Sequence, residues 1–286
     1  MSLSSLQLDA FLAVCRERSF SKAARRLSLT QSALSQRVTA LEGQLEQSLL
    51  IRDREGVRLT DAGERLLRYC LAREVLETEA LHSLGAEAAL AGSVRVAGYS
   101  SIVRSVLMPA LAPLLRSHPE VRVELLSREM ADLPEMLHRG ETDYVVLDHV
   151  WQCAGVESVD LGEEKNVLIE STRYSERSTF FLDHDADDAT TERLLRSRSD
   201  QLDPSRRSYL DDVYGVLDGV ALGLGRAVVS SHLIPDGLPV KRVHGYGVLK
   251  NPVVLHFLAQ PYYSELHQQV LACLEIGCKS RLAEKK

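Results

Sequence analysis

The chain of 286 residues is about twice the usual domain length, with 45% hydrophobic and 26% charged residues, which suits a sizeable core and excludes a mainly disordered chain. With 34 Lys+Arg against 40 Asp+Glu the net charge is −6, so a uniformly basic nucleic-acid binder is excluded as well. The charge is uneven, however: residues 1–60 hold nine Lys/Arg and six Asp/Glu and residues 61–286 hold 25 and 34, so only the head is expected to meet a polyanion.

In the head, Leu6, Leu8, Phe11, Leu12 and Cys15 recur at helical spacing and predict a first helix ending near Arg18. Ser21 is expected to cap a short helix from Lys22 to Leu27, in which Ala23 and Ala24 allow close crossing by another helix. After the turn Ser28-Leu29-Thr30, a third helix is predicted from about Ser32 to Gln47, with Leu34, Val38, Leu41 and Leu45 on one face. Two helices joined by so short a turn form a helix-turn-helix pattern. The opposite face of the third helix shows Gln31, Ser32, Ser35, Gln36 and Arg37, side chains that read base edges and phosphates in a major groove. Any one of them alone reads equally well as a solvated position. Leu49 to Thr60 then suggests a β-hairpin wing in which Arg52, Arg54 and Arg58 can neutralise phosphates, although Asp53 and Glu55 leave a generic charged hairpin open.

The runs Ser19-Phe20-Ser21-Lys22-Ala23-Ala24-Arg25-Arg26-Leu27 and Thr30-Gln31-Ser32-Ala33-Leu34-Ser35-Gln36-Arg37-Val38, then Leu41-Glu42 and Arg58-Leu59-Thr60-Asp61-Ala62-Gly63, closely resemble the LysR-type transcriptional regulators, in register through a whole winged helix-turn-helix. Leu50 departs mildly, since the family often has Phe there. The resemblance implies that residues 1–60 bind double-stranded promoter DNA through Gln31, Ser32, Ser35, Gln36 and Arg37. It also implies a regulator assembled as a homodimer and further as a dimer of dimers, meeting RNA polymerase if it activates.

Residues 61–90 read as a linker helix: Thr60 caps it, Asp61 and Glu64 suit its positive end, and Leu67, Leu71, Val75, Leu81, Leu84 and Ala88 form an apolar stripe. A helix between domains needs a partner for such a stripe. The partner subunit's copy is the economical one, as the resemblance also implies, and packing on its own body is the alternative. Gly92-Ser93 marks a hinge.

The body, residues 91–286, alternates strand and helix: strand Val94–Ala97, turn Tyr99-Ser100-Ser101, helix Ile102–His118, strand Val121–Leu126, helix Ala131–His138 and strand Tyr144–Leu147. Asn166–Glu170, Thr179–Leu182, Gly225–Ser230 and Val253–Ala259 add strands, and Asp212–Leu222 and Tyr263–Ile276 add helices. Two α/β lobes follow, lobe one from about 91–162 and 243–286 and lobe two from about 163–242, with ligand between them. The regulatory domain of LysR-type regulators, similar to periplasmic binding proteins, has this form. The resemblance there rests on Leu111 to Pro119, Gly140-x-x-Asp143 and Gly223-Leu224-Gly225. Arg16 to Phe20, Thr30 to Val38 and Phe181-Leu182-Asp183-His184 look most like the branch that regulates export of arginine and lysine, which makes lysine or arginine the expected effector.

Ser100 and Ser101, before a helix, can bind a ligand carboxylate or serve as caps alone. Asp212, beside Asp211, can attract a cationic ligand or cap its helix. Asp148 and His149 end the strand leaving lobe one and either contact ligand or sit in a solvated loop. Asp183 to Asp188 lacks the Gly and Glu of a calcium loop and reads as a solvated acidic turn. The five scattered cysteines form no CxxC or Cys/His cluster, so neither metal nor other cofactor is expected. The N-terminus lacks a secretory pattern and no membrane-length apolar run occurs, so a cytoplasmic protein is expected. No G-x-S-x-G elbow or dinucleotide fingerprint is present, and an enzyme is a poor fit. The competing class is a two-lobed small-molecule-binding protein or enzyme with an incidental helical head.

Overall fold

Caps and apolar spacing build the head locally. A computed structural model describes residues 3–53, 56–83, 90–176, 179–196, 203, 206–260 and 262–283. Helix α1 (Ser5–Glu17) leads to α2 (Phe20–Arg26) and α3 (Gln31–Leu45). The cap of α2 is Ser19, whose Oγ accepts from Lys22 N at 3.3 Å, rather than Ser21. Starting two residues earlier buries Phe20, which joins Ala23, Ala24, Leu34 and Val38 in the head core. The small Ala23 and Ala24 lie buried where the helices cross, as their spacing predicts. Strands β1 (Leu50–Asp53) and β2 (Gly56–Leu59) form the antiparallel wing.

Helix α4 (Asp61–Ser83) follows, its start capped by Thr60, whose Oγ1 accepts from Gly63 N at 3.0 Å. The first part of its stripe, Leu67 and Leu71, is covered by the chain's own head and body. Leu66, Leu67, Cys70 and Leu71 join Phe11, Leu12 and Cys15 of α1 and Leu133, Met136 and Leu137 of the body in one apolar cluster. Gly140 explains the approach. At φ +64° it turns the body chain under the helix, and a Cβ there would lie 2.7 Å from Leu71 Cδ2. Ion pairs reinforce the crossing, Arg16–Glu74 at 2.7 Å between α1 and α4 and Arg18–Glu135 at 3.0 Å between head and body. The far face of α4 leaves Tyr69 and Leu76 exposed. Leu84, Gly85 and Ala88 lie outside the described residues.

In lobe one, β3 (Gly92–Gly98) feeds a helical run that begins at Ser100, two residues earlier than predicted. It comprises α5 (Ser100–Ile102), a π-helical turn (Val103–Leu107) and α6 (Met108–Ser117). Strand β4 (Val121–Ser127), α7 (Leu133–His138) and β5 (Tyr144–Leu147) complete a parallel β4-β3-β5 core, as the alternation predicts. Strand β6 (Val156–Ser171) then runs through both lobes. Lobe two holds β7 (Phe181–Asp183), α8 (Thr190–Arg196), β8 (Arg207–Tyr209), α9 (Val213–Ala221), β9 (Ala227–Ser230) and β10 (Val240–Arg242). Strand β11 (Leu249–Leu258) returns antiparallel to β6 and pairs with β5, and α10 (Glu265–Leu282) closes lobe one. The predicted strands Asn166–Glu170 and Val253–Ala259 are thus fragments of two longer ones, because the charged stretch Glu157 to Lys165 pairs through its backbone while many of its side chains face solvent.

Gly63 sits where α4 presses on the wing, and an added Cβ would lie 2.2 Å from Leu49 O and 2.9 Å from Leu59 Cδ2. Gly63→Ala is expected to lower stability by about 1–3 kcal/mol, read from urea denaturation. An unchanged midpoint would show that the head does not depend on this contact.

Candidate nucleic-acid interface and interlobe cleft

Thr30 caps α3 through Ala33 N at 3.2 Å, which fixes the turn that presents the helix. Gln31, Ser32 and Gln36 are exposed, and Ser35 and Arg37 are half-buried. At 100° per residue Arg37 leaves the opposite flank of α3 from Gln31 and Ser35, so the five form a broad face rather than one point. Arg52 sits 3.8 Å over the Phe20 ring and its Nη2 donates to Ser35 Oγ at 3.3 Å, tying the wing to α2 and α3. Glu42, on the buried side of α3, accepts through Oε1 from Leu49 N at 2.8 Å and Leu50 N at 3.3 Å, which sets the angle of the wing. Ser21 donates to Gln31 Oε1 at 3.1 Å and orients that amide. Arg58 is exposed on β2, and Arg54 lies outside the described residues.

The second site is a cleft of about 530 Å3 between the lobes. From lobe one come Tyr99, Ser100 and Ser101 at the start of α5, Ser127 at the end of β4 with Arg128 to Met130 after it, and Asp148 after β5. Glu164 and Asn166 of β6 and Asn251 of β11 contribute from the crossing strands, and lobe two adds His184, Asp185, Asp187 to Thr190, Val213, Val228 to Ser230 and Leu233.

Glu164 is only 5% exposed and is held from both sides. Ser101 Oγ donates to its Oε1 at 3.2 Å and Tyr99 OH to its Oε2 at 3.2 Å, while His232 Nε2 lies 2.8 Å from Oε1. His232 reaches back to lobe one through Nδ1, 2.8 Å from Ser105 Oγ. Burial, and then the Glu164 charge, push the Tyr99 hydroxyl well above its ordinary pKa, so it remains a hydrogen-bond donor. Among the described lining residues, Glu129, Asp148, Glu164, Asp185, Asp187 and Asp188 are carboxylic, whereas Arg128 is the single Arg or Lys.

Ser100, Ser101 and Asp148 therefore lie where the sequence reading expects a ligand. His149 and Asp212 are not among the lining residues. His149 is exposed and its Nδ1 is 2.8 Å from Asp148 Oδ1. Asp212 spends both carboxylate oxygens on the start of α9, accepting from Tyr214 N at 3.1 Å and Gly215 N at 3.0 Å. The acidic turn is not wholly solvated. Asp183 is 3% exposed, takes Arg207 Nε at 2.7 Å, and anchors a turn whose later acids face the cleft. Glu164, Arg128 and Glu129 carry no such signal in the sequence, and His184 reads there only as part of the acidic turn, since the fold alone brings them to one cleft.

Among the described residues no group of three or more His, Cys, Asp or Glu is arranged to hold a metal ion, and no helix is long and apolar enough to cross a membrane.

Residues 6–64 match the family described as bacterial regulatory helix-turn-helix protein, lysR family, and residues 87–275 match the LysR substrate binding domain. A putative transcriptional regulator of Pseudomonas aeruginosa is 41% identical over 41% of this chain, an alignment spanning 39% of that relative. The regulator ArgP of Aeromonas salmonicida is 28% identical over 98% of this chain and 93% of its own length. Among solved structures, full-length LysG from Corynebacterium glutamicum with bound effector Arg superposes with TM-score 0.75 at 20% identity, covering 97% of this chain and 99% of that one. ArgP from Mycobacterium tuberculosis does so with TM-score 0.72 at 22% identity, covering 99% and 98%. At these identities the superpositions establish the shared fold.

Replacing Glu164 by Ala strands donors contributed by both lobes. The expected loss is about 1–3 kcal/mol of stability for Glu164→Ala, measured by thermal or urea unfolding. A variant as stable as the parent would remove this carboxylate as a tie between the lobes.

Proposed function

The chain belongs to the LysR family of bacterial regulatory helix-turn-helix proteins, and from that premise we propose that it is a transcriptional regulator whose grip on promoter DNA is set by lysine or arginine held between its lobes. The charge of the cleft carries this reading: six carboxylic side chains against one arginine among the described lining residues. Opposite charges about 4 Å apart attract by roughly 4 kcal/mol where the effective dielectric is near 20, so a cationic side chain gains what a neutral one of equal size does not. The α-carboxylate is assigned to Arg128, the Ser100 hydroxyl and the backbone N–H groups of Ser100 and Ser101 at the start of the helical run, the Ser101 hydroxyl being spent on Glu164. Asp148 and Asp185 face the cationic end. The arginine named with the LysG structure agrees with this chemistry.

On the DNA side, Gln31, Ser32, Ser35, Gln36 and Arg37 meet base edges and phosphates, and Arg52, Arg54 and Arg58 meet the backbone. The protein acts without turnover and in the cytoplasm. It works as a dimer or tetramer, for which the exposed Tyr69 and Leu76 face of α4 provides surface, and reaches RNA polymerase where it activates.

Thermal unfolding of the purified protein with each of the twenty amino acids tests the effector. Lysine or arginine at about 100 times Kd adds about 2.7 kcal/mol, and neutral amino acids add little. Equal shifts with leucine and lysine, or none with either basic amino acid, would overturn the assignment. For DNA, Arg52→Ala is expected to weaken all sequences and reduce the salt slope by about 1, whereas Gln31→Ala costs about 1–3 kcal/mol of discrimination at one base position. A footprint and sequence preference unchanged by Gln31→Ala would remove that residue from the reading face.

A further inference from the structure

We propose that His184 is the cleft's own counter-cation, displaced when the cationic end of the effector enters, so that effector binding releases a proton and tightens as pH rises. This inference rests on the basic-amino-acid reading above and adds a regulatory input to it.

The geometry places the imidazole among acids from three separate segments. On its own turn, His184 Nδ1 lies 3.0 Å from Asp185 Oδ2. From the turn before α9, Asp211 Oδ1 lies 3.8 Å from Nε2. From lobe one, Glu129 acts on it across the cleft, and Arg128 on the same loop is the fixed positive charge of the lining. Of these, His184, Asp185, Arg128 and Glu129 line the cleft. The ring is 29% exposed and can therefore exchange its proton with solvent.

The hydrogen bond to Asp185 raises the histidine above its ordinary value, against the opposing effect of partial burial, and the charges of Asp185, Glu129 and Asp211 add to the rise. The same hydrogen bond lowers Asp185. An arginine or lysine side chain entering beside Asp185 brings a permanent positive charge to the acid that holds the imidazolium, and repels it. The histidine pKa must then fall in the complex. Between its bound and free values the complex carries fewer protons than its parts, so affinity for the cation increases with pH until the free histidine, raised by its acids, has lost its proton. One displaced proton limits the change to about tenfold per pH unit. A neutral amino acid lacks the displacing charge and gives no such dependence.

Titration calorimetry of the full-length protein with L-arginine and L-lysine, at pH 6, 7 and 8 and in phosphate and Tris, tests this. The expected result is a Kd that falls from pH 6 to pH 8, with a binding enthalpy that differs between the buffers by their ionisation heats and so reports proton release. In His184→Gln, affinity at pH 6 should equal or exceed that of the parent, and its pH dependence should vanish. Arginine binding with a Kd independent of pH and a buffer-independent enthalpy in the unaltered protein would overturn the displacement while leaving the effector assignment standing. Absence of heat with either amino acid at every pH would overturn both. The buffer comparison needs no variant, so a misfolded His184→Gln protein would not blunt the test.

Discussion

Two strands shared by both lobes set the form of the body. β11 pairs antiparallel along its whole length with Val156 to Asn166 of β6, with a register shift between Val253 and Val254 next to Gly162. Lobe one hangs from one end, where β5 pairs with Val254 to His256, and lobe two from the other, where β9 and β10 pair with Asn166 to Ser171. The lobes cannot separate without breaking a ladder, and their relative motion reduces to a twist where the strands cross. Residues just past that point, Glu164 and Asn166, necessarily belong to the cleft. A carboxylate in so buried a place is costly unless it is fully hydrogen-bonded. Donors from lobe one and His232 of lobe two meet that requirement together, so Glu164 is satisfied only while the lobes keep their present spacing.

The second constraint is the weld between head and body. Leu67 and Leu71 of α4 share an apolar cluster with Phe11 and Leu12 of α1 and with Leu133, Leu137, Val145 and Leu147 of lobe one. Asp148, the residue after that last leucine, already lines the cleft. Head, linker helix and lobe one are therefore packed into one body, and a twist of lobe two against it has to give up the contacts of His232 with Glu164 and Ser105. A ligand shifts an arrangement only by binding one state more tightly than another. With the head fixed to lobe one, rotation of lobe two changes the spacing of two heads only through contacts with another copy of the chain, which gives oligomerisation a mechanical role.

Much of this was legible in the residues, and for definite reasons. The head could be read because its signals are local: Thr30 caps, Leu34, Val38 and Leu41 recur at helical spacing, and all three are fully buried. Even there, choosing between Ser19 and Ser21 as a cap required knowing that Phe20 points inward. The cleft was only half legible. Ser100 and Ser101 announce themselves as polar residues between a strand and a helix. Glu164 sits in a run of charges that reads as solvated surface, and it is buried because a strand from the other end of the chain crosses it. Asp212 shows the reverse case. Its position before a helix is a sound capping signal, and capping is what its two oxygens do. The stripe of α4 is plain from its spacing, but periodicity does not say which surface covers it. Gly140, seventy residues away, decides that by letting the body approach Leu71.

The remaining step concerns why the cleft is so acidic. Like charges gathered between two lobes repel more strongly as water is squeezed out, because the attraction and repulsion of ions both grow as the local dielectric falls. With Glu129 and Asp148 on lobe one and Asp185, Asp187 and Asp188 on lobe two, closure without a counter-charge is opposed by the protein's own charges. Arg128 offsets one of them and, on the proposal above, the protonated His184 offsets Asp185 until the effector arrives. An amino acid with a cationic side chain brings two positive groups and one negative, so it relieves the repulsion while its carboxylate still finds Arg128 and the helix start. A neutral amino acid brings one of each and leaves the balance unchanged. For the proposed basic-amino-acid effector, selectivity thus follows from the charge each ligand adds to the cleft, with pocket shape a secondary discriminator.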